Sequence, residues 1–256
     1  MIYNSTQDIV YYTFDSLHPN ELKHAVLSRL GGVSKHPYSS LNISTSTGDS
    51  HFAVHTNMDK IISAFTLTST KINTLNQVHG TDVVVADSTT THNSTQADAI
   101  ITNTPDTTLL LSFADCVPII LFDNKNKAAA LIHSGWRGTL NGIIQSTVLK
   151  MKNAYRCNPA NILAAIGPCI STKHYEVSYD IAQQFMRIYP PDSKVVRKIS
   201  NKYYVSLVDA NIRNLTNSGV MMIELSNMCT VRDNKYFYSH RLENNQTGRF
   251  GVFISL

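Results

Sequence analysis

Cysteine is scarce: the 256 residues contain four, Cys116, Cys157, Cys169 and Cys229, and none forms a Cys-x-x-Cys pair. That excludes a disulfide-built scaffold and points to reduced thiols in a reducing compartment, so a cytoplasmic location is expected. No stretch of about 18 apolar residues occurs, so no membrane span is expected. The opening stretch, residues 1–14, lacks a basic region followed by a long apolar run, so no secretory signal is expected either. Basic residues are scattered, and the net charge is only +4. A nucleic-acid partner is therefore not expected, whereas an anionic small substrate such as phosphate suits the balance. There is no repeat, low-complexity tail or linker, which leaves one mixed α/β domain over residues 1–256.

What is present alternates between strands and helices. Residues 22–30 (LKHAVLSRL) read as a strand or short helix. Residues 31–50 are rich in Gly, Ser, Thr and Asn and read as a long loop, either plain surface or folded over a site. Residues 51–67 place Val54, Met58, Ile61, Ile62 and Phe65 at helical spacing. Residues 71–87 (KINTLNQVHGTDVVVAD) read as strand, HGTD turn, strand. Strand-like runs follow at 97–103, 108–123 and 127–135. Residues 138–155 show helical spacing, with Thr139 as the expected N-cap. Residues 161–170 read as a strand ending in a Gly-Pro turn. Residues 178–189 and 202–219 read as helices, and 221–229, 235–241 and 249–256 as strands.

Several apolar strands end in a residue able to do chemistry. His79 ends TLNQVH, Cys116 sits in LLLSFADCVPII, His133 ends AAALIH and Cys169 follows LAAIGP. Strand ends beside loops are where α/β sheets build sites. Two imidazoles and one thiolate make a three-donor zinc set that leaves a fourth position open. The spacing is long, so the donors must meet through the fold. Plain alternatives stand beside this: a buried apolar cysteine, a histidine capping the HGTD turn, and a core histidine bonded to backbone. Cys169 reads as a buried thiol. Trp136, the only tryptophan, is either a packing anchor or part of an SGWRG turn that presents N–H groups and Arg137 to an anion. Arg249, in NNQTGRF, invites the same two readings.

Taken together, LSRLGGVS, QVHGTDVV, ADAIIT, ADCVPIILFD, IHSGWRG, IGPCI with YEV, MCT and TGRFG resemble the laccase-domain, or multicopper polyphenol oxidase (YfiH), family, in that family's order and over nearly the whole chain. The resemblance implies an α+β fold, a single four-layer α/β/β/α domain with mixed sheets. It implies zinc held by His79, Cys116 and His133, with copper the less favoured metal, and Cys116 and His133 as candidate catalytic residues. It implies purine nucleoside phosphorylase activity on adenosine, inosine, guanosine and methylthioadenosine with phosphate, together with adenosine deaminase activity. Candidate substrate or phosphate ligands are Arg29, His36, Arg137 and Arg249. The same resemblance carries three other functions: a copper polyphenol oxidase, a metal-free Cys–His hydrolase, and an editing factor for cell-wall precursors. A laccase needs several coppers and many more histidine ligands, and the sequence has no comparable histidine pairs; a hydrolase would leave His79 idle. The chain departs from the family pattern at Ser134, where alanine is commoner, at His240, where an aromatic is common, and at Met58, where many members carry arginine. Asp115, beside Cys116, would point away from it on a regular strand. The sequence carries no signal of oligomeric state.

Overall fold

A computed structural model describes residues 1–18, 20–87 and 92–256. In chain order the strands and helices are β1 (Ile2–Thr6), β2 (Ile9–Thr13), β3 (Lys23–Leu27), α1 (His51–Phe65), β4 (Ile72–Asn73), β5 (Val83–Val85), β6 (Ala99–Thr102), β7 (Thr108–Phe113), β8 (Val117–Asp123), β9 (Ala128–Ser134), α2 (Trp136–Asn141), α3 (Ile143–Tyr155), β10 (Leu163–Ile166), β11 (Glu176–Val177), α4 (Tyr179–Ile188), β12 (Val196–Ile199), β13 (Lys202–Val205), α5 (Leu207–Asn217), β14 (Met222–Leu225) and β15 (Phe250–Ser255). They build two mixed six-stranded sheets, β1-β2-β3-β15-β7-β4 and β14-β10-β8-β9-β6-β5, and a small sheet β11-β13-β12.

Side-chain parity explains the layers. Along β8, Val117, Ile119 and Leu121 join a core with Ile143, Ile144, Val148, Phe185 and Leu215 of the helices. Ile120 and Phe122 face the other way and meet Leu109, Leu111, Phe113 and Val252 of the first sheet. A strand covered on both faces must be apolar at every position, which is why VPIILF shows no alternation. The outer face of the first sheet, through Leu27, Leu110 and Phe253, packs on Ile61, Ile62 and Met58 of α1. The order is therefore α1, sheet, sheet, α3 with α5, the four-layer α/β/β/α arrangement expected.

Local chemistry places the element ends. Gln7 and Asp8 both take positive φ and make the two-residue turn between β1 and β2, a backbone twist that suits a hairpin. Ser50 caps α1 by accepting from Ala53 N–H, and Ser206 caps α5 by accepting from Asp209 N–H. No helix among the described residues is long and apolar enough to cross a membrane.

Four sequence expectations are corrected. The helix expected from Gly138 opens at Trp136 with Gly135 as its N-cap, and Thr139 lies inside it, donating back to the Gly135 carbonyl at 2.9 Å. Gly142, at φ 89°, then splits it into α2 and α3, because a left-handed residue ends one helix without a Cβ penalty. Residues 202–219 are a strand followed by α5, not one helix: Lys202–Val205 pairs with β11 and β12 before the Ser206 cap. Residues 235–241 form turns rather than a strand, because buried polar contacts of Ser239 and Glu243 take up their backbone.

Residues 74–79 are the fourth correction. They lie outside any strand, and their one strand-like pairing is an isolated Asn76–Gln96 bridge. Gln77 replaces strand pairing with its side chain. Its Nε2 donates to the Ser112 carbonyl at 2.9 Å, and its Oε1 accepts from Ser112 N–H at 3.0 Å. One amide thus stitches the QVHG segment to β7, and His79 is delivered from a loop.

Candidate metal centre

β8 and β9 are antiparallel, with Val117 opposite Ser134 and Pro118 opposite His133. The start of one strand and the end of the other therefore meet at the same edge. Cys116 immediately precedes β8 and His133 nearly ends β9, so the two come together there. The loop carrying His79 closes the third side. One donor atom from each of His79, Cys116 and His133 lies within 4.8 Å of the other two, and among the described residues no other group of three or more His, Cys, Asp or Glu side chains is so placed. Cys116 Sγ is 3.8 Å from His79 Nε2, and the two imidazole rings stand 4.9 Å apart at 76°.

The three residues fit a metal. Zinc–sulfur and zinc–nitrogen bonds of about 2.3 and 2.0–2.1 Å in a tetrahedron put sulfur and nitrogen about 3.6 Å apart, close to the separation seen. A glycine leaves room for them. A Cβ on Gly135 would stand 2.7 Å from His79 Cδ2 and 3.2 Å from Cys116 Sγ, so any larger residue there would push into the donors.

Asp98 organises the cluster, and the sequence reading passed over it. It is fully buried at the foot of β6. Its carboxylate accepts from the N–H groups of Val78, His79 and Gly80 at 3.2, 3.0 and 2.6 Å. Three successive amides aimed at one anion form a nest, which holds His79 in its left-handed conformation at φ 60°. Asp98 Oδ1 also lies 2.7 Å from His133 Nδ1, and the Asp98 carbonyl accepts from His133 N–H at 2.7 Å. With Nδ1 held by a carboxylate, Nε2 of His133 is the nitrogen left for a metal, the usual outer support of a ligating histidine. The signal was available in QADAIIT: a carboxylate opening an otherwise apolar buried strand must have partners.

Asp115 turns the chain into Cys116. Its φ of 84° breaks the strand between β7 and β8. Its carboxylate is buried and accepts from Thr230 Oγ1 at 2.5 Å, Ser239 Oγ at 2.8 Å and Arg241 N–H at 2.7 Å. Its carbonyl accepts from Ile170 N–H at 3.0 Å. Three distant segments therefore converge on the residue before the thiol, and Asp115 is occupied in holding them.

The charges at the cluster interact strongly. Burial pushes the Cys116 thiol up, but the His133 and His79 imidazoles outweigh it and bring it down to about 6. Burial pushes His133 down, but the Cys116 thiolate and Asp98 raise it to about 9. Burial also pushes Asp98 up, yet His133 and the amides of Gly80 and His79 hold it below the usual carboxylate value.

The remaining candidates are placed differently. Arg249 is half-buried; its Nη1 donates to the Thr247 and Gly248 carbonyls at 3.1 and 2.9 Å. Burial lowers its pKa, opposed by the negative charges of Cys116, Asp115 and Glu243. Arg137 is exposed, its guanidinium 4.4 Å over the Trp136 ring. His36 is exposed in the long loop. Arg29 is largely buried; Nε donates to the Ser39 carbonyl, Nη1 to the Asn234 carbonyl and Glu243, and the guanidinium covers Tyr238 at 4.3 Å. It braces the long loop against residues 234–243. Met58 packs with the core on α1. Ser134 is fully buried, and its Oγ donates to Asn211 Oδ1 at 2.8 Å, so its hydroxyl has a partner that alanine would lack. His240 is exposed, and burial of its surroundings and the charge of Arg249 lower its pKa.

The family described as "Multi-copper polyphenol oxidoreductase laccase" matches residues 23–256. The protein named purine nucleoside phosphorylase YfiH from Escherichia coli strain K12 is 34% identical over 229 residues, covering 90% of this chain and 91% of its own. The purine nucleoside phosphorylase of Haemophilus influenzae is 31% identical over 243 residues, covering 92% and 95%. The crystal structure of YlmD from Geobacillus stearothermophilus is 27% identical, covers 98% of this chain and 97% of its own, and gives a TM-score of 0.92. With the family match spanning almost the whole chain and these relatives covering nine-tenths of it or more, the chain belongs to the multicopper polyphenol oxidoreductase laccase, or YfiH, family.

Proposed function

We propose that the chain is a zinc-dependent purine nucleoside phosphorylase that also deaminates adenosine. The observation that carries this reading is the Asp98-supported cluster of His79, Cys116 and His133, in a chain whose relatives are named purine nucleoside phosphorylases. A thiolate and two imidazoles are borderline-soft donors suited to zinc. A multicopper oxidase needs several copper centres, and one such cluster exists among the described residues.

A zinc ion held there supplies Lewis-acid polarisation of a substrate or water oxygen. The chain's own residues do the rest. Asp98 keeps the His133 proton on Nδ1 and so keeps Nε2 free for binding. The depressed pKa of Cys116 keeps its sulfur anionic at neutral pH. Arg249, and Arg137 from the exposed start of α2, supply positive charge for a phosphate. In phosphorolysis a phosphate oxygen attacks C1′, the bond to the purine nitrogen breaks, and the base leaves with a proton, giving ribose 1-phosphate. In deamination water adds at C6 of adenine and ammonia leaves. Adenosine, inosine, guanosine and methylthioadenosine are the proposed substrates, and the cytoplasm is the proposed location.

Product analysis tests the reading. Purified protein given adenosine with phosphate should yield free base and ribose 1-phosphate; without phosphate it should yield inosine alone. Both activities should vanish in Cys116→Ala. Zinc-loaded protein that leaves adenosine and inosine untouched would sink the proposal and turn attention to a role in editing cell-wall precursors.

A further inference from the structure

Two thiols outside the metal cluster lie side by side. Cys169 and Cys229 are partners in an isolated parallel bridge, and Thr230 N–H donates to the Cys169 carbonyl at 3.1 Å. Neighbouring chains paired in this way lie about 4.8 Å apart, inside the roughly 4.4–6.8 Å Cα range of disulfides. Directly opposed residues present their side chains to the same face, and both cysteines line one cavity of about 220 Å³. Each is at most 2% exposed, so the cavity is the approach to them. A water molecule occupies about 30 Å³ in the liquid, so hydrogen peroxide fits easily. Exposed Arg232 and Asn227 line the same cavity.

The two sulfurs are not equivalent. Cys229 Sγ accepts from Ser171 N–H at 3.3 Å and lies 3.5 Å from His174 Nδ1. It therefore has a donor that can hold a thiolate and, within reach of its proton, an imidazole whose Nδ1 also lies 3.1 Å from Ser171 Oγ. Cys169 has neither, and burial raises its pKa far above that of a free thiol.

We propose that Cys169 and Cys229 are a peroxide-sensitive thiol pair that closes reversibly into a disulfide and loosens the support of Cys116. The Cys229 proton moves to His174 Nδ1, and the sulfur attacks one peroxide oxygen. The O–O bond breaks, the leaving oxygen takes the proton from His174 and departs as water, and Cys229 becomes a sulfenic acid. The Cys169 sulfur then attacks Cys229, and the sulfenic oxygen leaves with the Cys169 proton as a second water. Two thiols are oxidised by two electrons, and one peroxide is reduced to two waters. A thiol reductant reverses the bond.

The link to the metal cluster runs through the neighbouring residues. Ile170, next to Cys169, donates to the Asp115 carbonyl, and Thr230, next to Cys229, donates to the Asp115 carboxylate. Drawing the two sulfurs into a bond moves both supports of the residue preceding Cys116. The thiol chemistry itself does not depend on the nucleoside reading.

Peptide mapping of the zinc-loaded full chain tests the proposal. After stoichiometric hydrogen peroxide and alkylation, the map should contain a peptide pair joined through Cys229 and lost on reduction. Fragmentation must assign the bond to Cys169 rather than to Cys157, which shares its tryptic peptide. Cys169→Ser should leave a Cys229 sulfenic acid that dimedone traps, and Cys229→Ser should leave Cys169 a free thiol. Oxidised protein with Cys116 unmodified should release zinc to a chelator about tenfold faster than reduced protein, the scale on which outer partners act on metal sites. Cys169 and Cys229 both still alkylatable after peroxide, or Cys229 over-oxidised beside a free Cys169, would overturn the pair. Cross-linked protein that releases zinc at the unchanged rate would overturn the link to Asp115.

Discussion

The candidate metal cluster has two unlike halves. His133 lies at the end of a central strand, buried, with its Nδ1 on the fully buried Asp98. His79 and Cys116 come from irregular backbone: one is exposed in a loop at φ 60°, and the other follows a residue at φ 84°. The buried half is tied to the fold, so its loss costs stability as well as metal. The half carried on irregular backbone costs the fold little, so its loss costs metal alone. Asp98 joins the halves, because one carboxylate holds both the His133 ring and the backbone of His79.

Removing that joint has the largest expected effect. Asp98→Ala leaves three amides and a buried imidazole without their acceptor, and should destabilise the metal-free protein by about 3–5 kcal/mol, the scale of a broken buried pair. Denaturant unfolding after chelation measures this, and a loss below about 1 kcal/mol would mean the two halves are not joined through Asp98. Gly135→Ala comes next. Its methyl would press on His79 and Cys116, so about 1–3 kcal/mol of overpacking should accompany weaker zinc binding in a chelator competition. Unchanged affinity would show that the donors have room they are not seen to have.

His79→Ala should split the two readouts. Because the side chain is exposed, metal-free stability should change by no more than about 0.5 kcal/mol, while zinc affinity collapses. A comparable loss of stability would erase the distinction between the halves.

The smallest expected effect is a flat response to pH. In the metal-free protein the raised pKa of His133 contributes stability below about 6.5, which is lost as pH rises towards about 9. The lowered pKa of Cys116 contributes nothing below about 6 and its full share only above about 9. The trends run in opposite directions and offset, because the folded and unfolded pairs each carry one proton in that window. Stability should therefore be level between about pH 6.5 and 9, while thiolate absorbance from Cys116 is already present at neutral pH. Absorbance that appears only near the ordinary thiol pKa would show that the imidazoles do not act on Cys116.

Much of this was legible in the sequence. Apolar runs without alternation announced strands covered on both faces, and the three donors stood out as chemically capable residues at strand ends. What the sequence hid was polar and non-local. Asp98 sits inside QADAIIT, but the four contacts its carboxylate accepts come from residues 78–80 and 133, which only the fold unites. Gln77 looks like a strand residue and instead pairs with β7 through its amide. Residues 235–241 carry the aromatic pattern of a strand, but Ser239 is drawn into contacts with Asp115, 124 residues away, and with Glu243, 4 residues on. Helical spacing ran unbroken through Gly142, because periodicity does not register one left-handed residue.

Elemental analysis of the purified chain beside Cys116→Ser and His79→Ala tests the central claim most directly. The account predicts about one zinc per chain in the parent protein, the number a single three-donor site holds, and almost none in either variant, with both still folded. Zinc retained in both variants, or a parent protein that binds none when zinc is supplied, would contradict it.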